Sequence, residues 1–301
     1  MRPLLSLLAT ILALAALPAR AGIDEILAAI QRSDFDFTRN ETDVPFAQTA
    51  WLQMVFHPDT ELENGICFRE NTLQQGALVP VYIGKRDMVL VGESFELSKI
   101  ETTTGVSTTQ SVVSAGPLAA WLRQYDENDL FGVFSAPFFS RELEYHDSWG
   151  TECFSGIVVM HWQEAHWTWL YGAIHEYSYG KNFFYPYVGA IWVPSKKWVV
   201  SMLVPWPTVY YAPRKGIMFS LGITPGGSSY QADDSGAKST NSLNAWNVTA
   251  SAGWRFYGRL WLVGGVGFSG LNRISVTTET DERIIKADPS PLATLSIQFR
   301  P

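Results

Sequence analysis

The residues able to do chemistry are few and scattered. Five histidines occur: His57, His146, His161, His166 and His175. His161 and His166 flank an expected tight turn, so they do not share one face at metal-ligand spacing. His146-Asp147-Ser148 sets a base and a hydroxyl two residues apart, a pairing suited to ester hydrolysis. It lies in an expected loop with no phased partner to orient the imidazole, which such chemistry requires. Carboxylates cluster at Asp59, Glu61 and Glu63, at Glu142, Glu144, Asp147 and Glu152, and at Glu279, Asp281 and Glu282. Several carboxylates can gather a divalent cation, but the D-x-D-x-D-G loop is missing. They read as solvated loops whose like charges favour cations at a pore mouth. No catalytic residue, metal ligand or cofactor is assigned, and an enzyme is the third-ranked reading.

The elements that would carry these groups are strands. From Trp246 to Phe256, Trp246, Val248, Ala250, Ala252, Trp254 and Phe256 alternate with Asn247, Thr249, Ser251, Gly253 and Arg255. After Tyr257-Gly258-Arg259, Leu260, Leu262, Val266 and Phe268 share a face. Period two is the signature of a strand with one greasy and one polar face. Trp near both ends of the greasy face is the pattern of lipid outside and a polar lumen inside. On this reading an arginine at Val248 is costly and one at Thr249 is tolerated.

The same unit repeats from Val44 to Phe299. The spacing predicts an all-β, transmembrane antiparallel barrel of about 14 strands, with a short N-terminal helix. Twelve strands result if Trp198–Val204 and Thr208–Ala212, short against the ~9–11 residues of a spanning strand, are a cap or one interrupted strand. Pro205-Trp206-Pro207 between them predicts a low notch in the wall, open sideways to apolar cargo. Basic residues fall in the tight turns (Lys85-Arg86, Lys196-Lys197, Arg214-Lys215, Arg259) and acidic residues in the longer loops. Both chain ends lie on the side of the short turns, as in barrels with short periplasmic turns and longer outer loops.

Composition agrees. The chain has 12 Trp, 12 Tyr, 17 Phe and 24 Gly, with 17% charged residues, against about 25% in soluble domains. Beyond residue 21 no apolar run nears the ~18 residues of a spanning helix, and closed barrels are the other structure that satisfies every backbone group in lipid. Arg2, the apolar run Leu4–Leu17 and Ala19-Arg20-Ala21 form an export signal over residues 1–21. Its loss lowers the formal net charge of −7 by two further units, which argues against nucleic acid. Residues 22–43 carry a helical pattern (Ile23, Ile26, Leu27, Ile30) and then a polar linker. The helix, Gly22–Gln31, forms a plug or a periplasmic contact, or is a frayed leader to the first strand. The barrel follows over residues 44–301.

Aromatic residues crowd Trp167, Trp169, Tyr171, Tyr177 and Tyr179, and also Phe131, Phe134, Phe138 and Phe139. They form the interfacial girdles of a barrel or line a lumen for hydrophobic cargo. Leu295, Ile297 and Phe299 alternate in the last strand and resemble the signal read by the barrel-assembly machinery. Arg300 and Pro301 follow the final aromatic, where the signal normally ends. Export places Cys67 and Cys153 in an oxidising compartment, where they either bridge, tying two outer loops over the mouth, or stand as separate small apolar residues.

One stretch carries a family resemblance. Tyr185-Pro186-Tyr187-Val188-Gly189, Pro194-Ser195-Lys196-Lys197-Trp198, Leu203-Val204-Pro205 and Tyr211-Ala212-Pro213-Arg214 resemble an uncharacterised family of bacterial outer-membrane β-barrel proteins. The likeness is best from Phe154 to Gln231. It implies a barrel in the outer membrane of a Gram-negative cell and supplies no catalytic residue. The first functional reading is a passive or substrate-selective channel for small molecules. The alternative is a non-conducting structural or surface-binding barrel. Outer-membrane lipid and the assembly machinery are the expected partners, with the cargo open.

Overall fold

The computed structural model describes residues 21–301 except 36–41, 46, 63–64, 66, 104–106, 144–148, 179–180, 205, 227–228, 235–236, 279–281 and 287. The export signal at residues 1–20 and the His146-Asp147-Ser148 pairing lie outside the described residues. One helix, α1 (Ala21–Gln31), precedes the strands. These are β1 (Ala50–Phe56), β2 (Thr60–Glu61), β3 (Cys67–Ile83), β4 (Asp87–Thr103), β5 (Ser107–Gln124) and β6 (Asp129–Glu142). Next come β7 (Gly150–Gln163), β8 (Trp167–Ser178), β9 (Lys181–Ser195), β10 (Trp198–Ser201), β11 (Thr208–Arg214) and β12 (Ile217–Gly226). The last are β13 (Ser229–Asp234), β14 (Ala237–Tyr257), β15 (Leu260–Thr278), β16 (Glu282–Lys286) and β17 (Ser290–Phe299).

Each strand pairs antiparallel with its neighbours, and β1 closes the ring by pairing with both β3 and β17. Three short strands continue other crossings: β2 extends β1 along β3, β13 extends β12 along β14, and β16 extends β17 along β15. The wall is therefore a closed antiparallel barrel of 14 strands. β10 and β11 are separate crossings, so the count of 12 does not arise. With strands about 4.8 Å apart and tilted about 40°, the ring is about 28 Å across.

Directly paired residues share a face, so register carries facing around the ring. Val248 pairs with Phe268 and Ile223, Val209 with Leu221, Trp167 with Trp192, Ile157 with Val133, and Leu52 with Ile297. This face exposes Val248, Val266, Phe268, Val188, Leu221 and Leu295. Lipid requires such an apolar outer belt of a barrel, and on β3 and β4 it is interrupted by Gln75 donating to Glu93 at 2.9 Å. Near the tight turns it carries an aromatic girdle, with Trp167 stacked on Trp169 and Trp192 at 5.8 and 5.7 Å, and Trp198 tilted against Tyr211 at 4.5 Å. The aromatic run of β8 is thus outer girdle. The four phenylalanines of β6 divide: Phe131 and Phe139 face out, Phe134 and Phe138 face in. The tight turns at Gly216 and Gly258 use φ of 95° and 52°, where a side chain is strained.

The inner face is filled at the tight-turn end. Met88, Leu130 and Trp162 form one buried cluster, and Ala212, Met218, Trp261 and Val263 another. Each is completed from before the first strand, by Phe35 and Val44 respectively. Val44 was expected to open the first strand. That strand begins instead at Ala50, and Val44 lies inside the barrel, 8% exposed.

Candidate functional site: a strapped lumen with a gap in its wall

The leader docks at two points of the tight-turn mouth. At the first, the Asp34 N–H donates to the Lys85 carbonyl (2.7 Å), its carboxylate pairs with Arg86 at 2.9 Å, and Phe35 is buried on β4, β6 and β7. At the second, the Asp43 N–H and the Thr42 hydroxyl donate to the Lys196 carbonyl at 2.6 and 2.9 Å, and Val44 is buried on β11, β12 and β15. The β3–β4 and β9–β10 turns are separated by the six strands β4 to β9, nearly half the ring, or about 27 Å across the mouth. These contacts tie residues 34–35 and 42–44 of the leader, the strap, to two points of the rim. The basic turns act as its anchors.

The wall is incomplete on one side. β10 has 4 residues and β11 has 7, heights of about 10 and 18 Å against a lipid-facing band about 25 Å tall. Pairing of β10 with β9 stops at Ser201–Ile191, with one further bond from Met202 N–H to the Ala190 carbonyl. Pairing of β11 with β12 stops at Thr208–Gly222, with one from Ile223 N–H to the Pro207 carbonyl. Above these levels no strand joins β9 to β12 among the described residues. Pro207, which cannot donate to a ladder, immediately precedes β11. Of the notch residues, Pro205 lies outside the described residues, while Trp206 and Pro207 edge the gap. Leu203 packs so closely on Gly189 that a Cβ there would come within 2.6 Å of it.

Inside the gap lies an aromatic cluster. Trp206 sits 6.5 Å from both Phe154 and Tyr187, and Phe154 lies 5.6 Å from Phe134. These side chains come from β6, β7, β9 and the β10–β11 loop. Carboxylates share the same inner face. Glu96 accepts from Gln74 (2.8 Å) and Ser98 (3.3 Å), Glu152 from the Ser178 hydroxyl (2.7 Å), and Glu176 from the Tyr185 hydroxyl (3.2 Å). Glu142 and Glu152 were expected in a solvated loop. They stand on β6 and β7 because these strands extend to Glu142 and from Gly150, and even positions there face inward. The extension of β12 and β14, with β13 paired to Ala237–Ser242, leans across the far mouth and meets β6.

The cysteine bridge is not formed. Cys67 and Cys153 are both free thiols. They stand on β3 and β7, with β4, β5 and β6 between them, about 19 Å of wall against the ~7 Å limit for a disulfide. Taller strands move both residues onto the outer wall and away from any loop that could fold over the mouth. At the C-terminus Leu295 and Ile297 face out, and Phe299 pairs with Ala50 and Leu260. The last strand therefore has no open edge.

A second polar group stands on the outer wall, and sequence reasoning missed it. Ser155, His175 and Asn182 come from β7, β8 and β9. The Ser155 hydroxyl lies 3.5 Å from His175 Nδ1, and His175 Nε2 lies 3.0 Å from Asn182 Oδ1. An amide oxygen only accepts, so the imidazole proton resides on Nε2 and Nδ1 is free to accept. Phe184 stacks on the ring at 4.3 Å. The one available signal was phase: Ser155 with Ile157, and His175 with Tyr171, all on the greasy side. Two other histidines are engaged: His161 Nδ1 with Asp129 (2.8 Å), and His166 Nδ1 donating to the Val193 carbonyl (2.8 Å). Among the described residues no cluster of potential metal ligands occurs.

Fold and site together define a closed transmembrane β-barrel with a side gap. No family model matches the chain, and no curated protein matches it. Solved structures do resemble it. The COG4313 outer membrane channel from Pseudomonas putida F1 has a TM-score of 0.45 and 12% identity, covering 87% of this chain and 99% of its own. The TodX monoaromatic hydrocarbon channel, as a deletion mutant, gives 0.37 and 8%, covering 85% and 91%. A Pseudomonas aeruginosa FadL homologue gives 0.35 and 8%, covering 85% and 76%.

Proposed function

We propose that this chain is an outer-membrane channel for small, largely apolar molecules, and that cargo passes between the lumen and the lipid through the gap above β10 and β11. The carrying observation is the gap itself, backed by Phe134, Phe154, Tyr187 and Trp206. An aromatic patch offers contact area to apolar solutes without requiring hydrogen bonds. Phe35 and Val44 of the strap, buried inside the tight-turn mouth, narrow the axial route and so support a sideways one. The apolar belt and closed ring support residence in the outer membrane of a Gram-negative envelope, reached through the export signal and the assembly machinery that reads Leu295, Ile297 and Phe299. Membership of the uncharacterised barrel family suggested by Phe154–Gln231 belongs to the same reading. Glu96, Glu152 and Glu176 give any aqueous path a cation preference.

The test is entry of a small aromatic solute into vesicles whose outer leaflet is lipopolysaccharide, a barrier that such solutes cross slowly unaided. The full chain should speed entry, and Trp206→Arg, which places a charge in the gap, should remove most of that gain. Equal entry with and without the full chain would contradict the channel. Equal entry through wild type and Trp206→Arg would contradict the sideways route.

A further inference from the structure

Ser155, His175 and Asn182 stand on the lipid side of the wall, where polar side chains are costly unless they serve a purpose. Three strands bring them together, and register fixes the grouping: Ser155 pairs with His175, and Tyr177 pairs with Asn182. Their height is also set. His175 lies six residues above Trp169 of the lower girdle and Asn182 lies level with Tyr177, eight above it, or about 16 and 21 Å up a band about 25 Å tall. That puts Ser155 and His175 a few ångströms past the midplane in the far leaflet, with Asn182 nearer the layer where acyl esters join chains to headgroups.

We propose that Ser155, His175 and Asn182 form a catalytic relay that hydrolyses long-chain acyl esters of membrane lipids at the outer leaflet. The parts have the required roles. Ser155 is the nucleophile, His175 Nδ1 is the base within reach of its hydroxyl, and Asn182, through Nε2–H, is the positioning residue that holds the imidazole's tautomer. Ile157, Tyr171, Val188 and Phe184 are exposed around it, at 48%, 46%, 65% and 77%, and offer an apolar bed for an acyl chain. Ser135 is paired with Ser155 on the side away from His175. Its hydroxyl, which lies 3.8 Å from Cys153 Sγ, is the proposed oxyanion donor, a role that strand backbone N–H groups, used in the ladder, cannot fill.

The reaction balances with water alone. The Ser155 oxygen bonds to the acyl carbon as its proton passes to Nδ1. The ester C–O bond breaks, and the lysolipid oxygen leaves with that proton. Water then adds to the acyl-serine and yields a proton to Nδ1. The Ser155–acyl bond breaks, Ser155 regains the proton, and a fatty acid departs. This site is on the opposite side of the wall from the lumen, and its activity does not depend on conduction.

The test uses the folded full chain with micelles of didecanoyl phosphatidylcholine and, separately, the water-soluble ester p-nitrophenyl butyrate. Fatty-acid release should fall at least 100-fold in Ser155→Ala and in His175→Ala. A long-chain alkyl fluorophosphonate should add to Ser155, located by peptide mass spectrometry. Asn182→Ala should lower kcat with KM kept, and Asn182→Asp should restore it, which a merely structural role would not show. Lipid cleavage, alone or with cleavage of the soluble ester, supports the proposal. Cleavage of the soluble ester alone removes the lipid substrate. No release from either ester with no adduct at Ser155, or release that persists in Ser155→Ala, overturns the relay.

Discussion

An arginine scan down one hairpin tests the facing of the wall quantitatively. Ten residue steps separate Trp246 from Phe256, the aromatic limits of the outer face of β14, and at about 2.6 Å of height per step they span about 26 Å, matching the ~25 Å apolar band. The midplane therefore falls near Ser251. Val266 pairs with Ala250 and is 66% exposed, about 3 Å from the midplane. Val248 is 45% exposed and about 8 Å above it. A lipid-facing arginine costs about 2–4 kcal/mol at the midplane and about 0–1 near the interface. Val266→Arg should then cost about 3 kcal/mol, a factor of about 150 in the folding equilibrium, and Val248→Arg about 2 kcal/mol. Thr249, which pairs with Gly267 and Gly222 on the inner face, should accept arginine within about 1 kcal/mol. Reversible folding into phospholipid vesicles against urea reads all three. Equal costs at Val248 and Thr249, or a smaller cost at Val266 than at Val248, would refute the assigned faces.

Thiol labelling of the unfolded, unreduced protein should count two free cysteines, and none would show that Cys67 and Cys153 approach after all. Phe35→Ala empties a buried site on Met88, Leu130 and Trp162 and should weaken the strap by about 3 kcal/mol, seen as faster labelling of a cysteine placed at Val44. An unchanged labelling rate would mean that Phe35 does not hold the strap.

The wall was legible because its signal is local. Trp246, Val248 and Ala250 announce their common face by spacing alone, and the turns Lys85-Arg86 and Gly258-Arg259 announce themselves by residue type. What escaped depends on register or on distant partners. Nothing around Val44 distinguishes a strand start from a side chain buried on Met218 and Trp261, because those neighbours lie far along the chain. Glu142 and Glu152 read as loop residues until β6 and β7 are known to continue past the apolar band. Ser155, His175 and Asn182 meet only when three strands are aligned, and a shift of one residue would turn any of them inward. The short β10 and β11 were visible as lengths, while the aromatic cluster behind them was not.

Single-channel recording of the full chain and of the chain lacking residues 22–43 addresses the central claim most directly. With the strap in place the protein should show at most small, brief steps. Without it, stable ohmic steps with a cation preference should appear. A bilayer that stays closed with and without residues 22–43 would contradict a channel and leave a structural or surface-binding barrel.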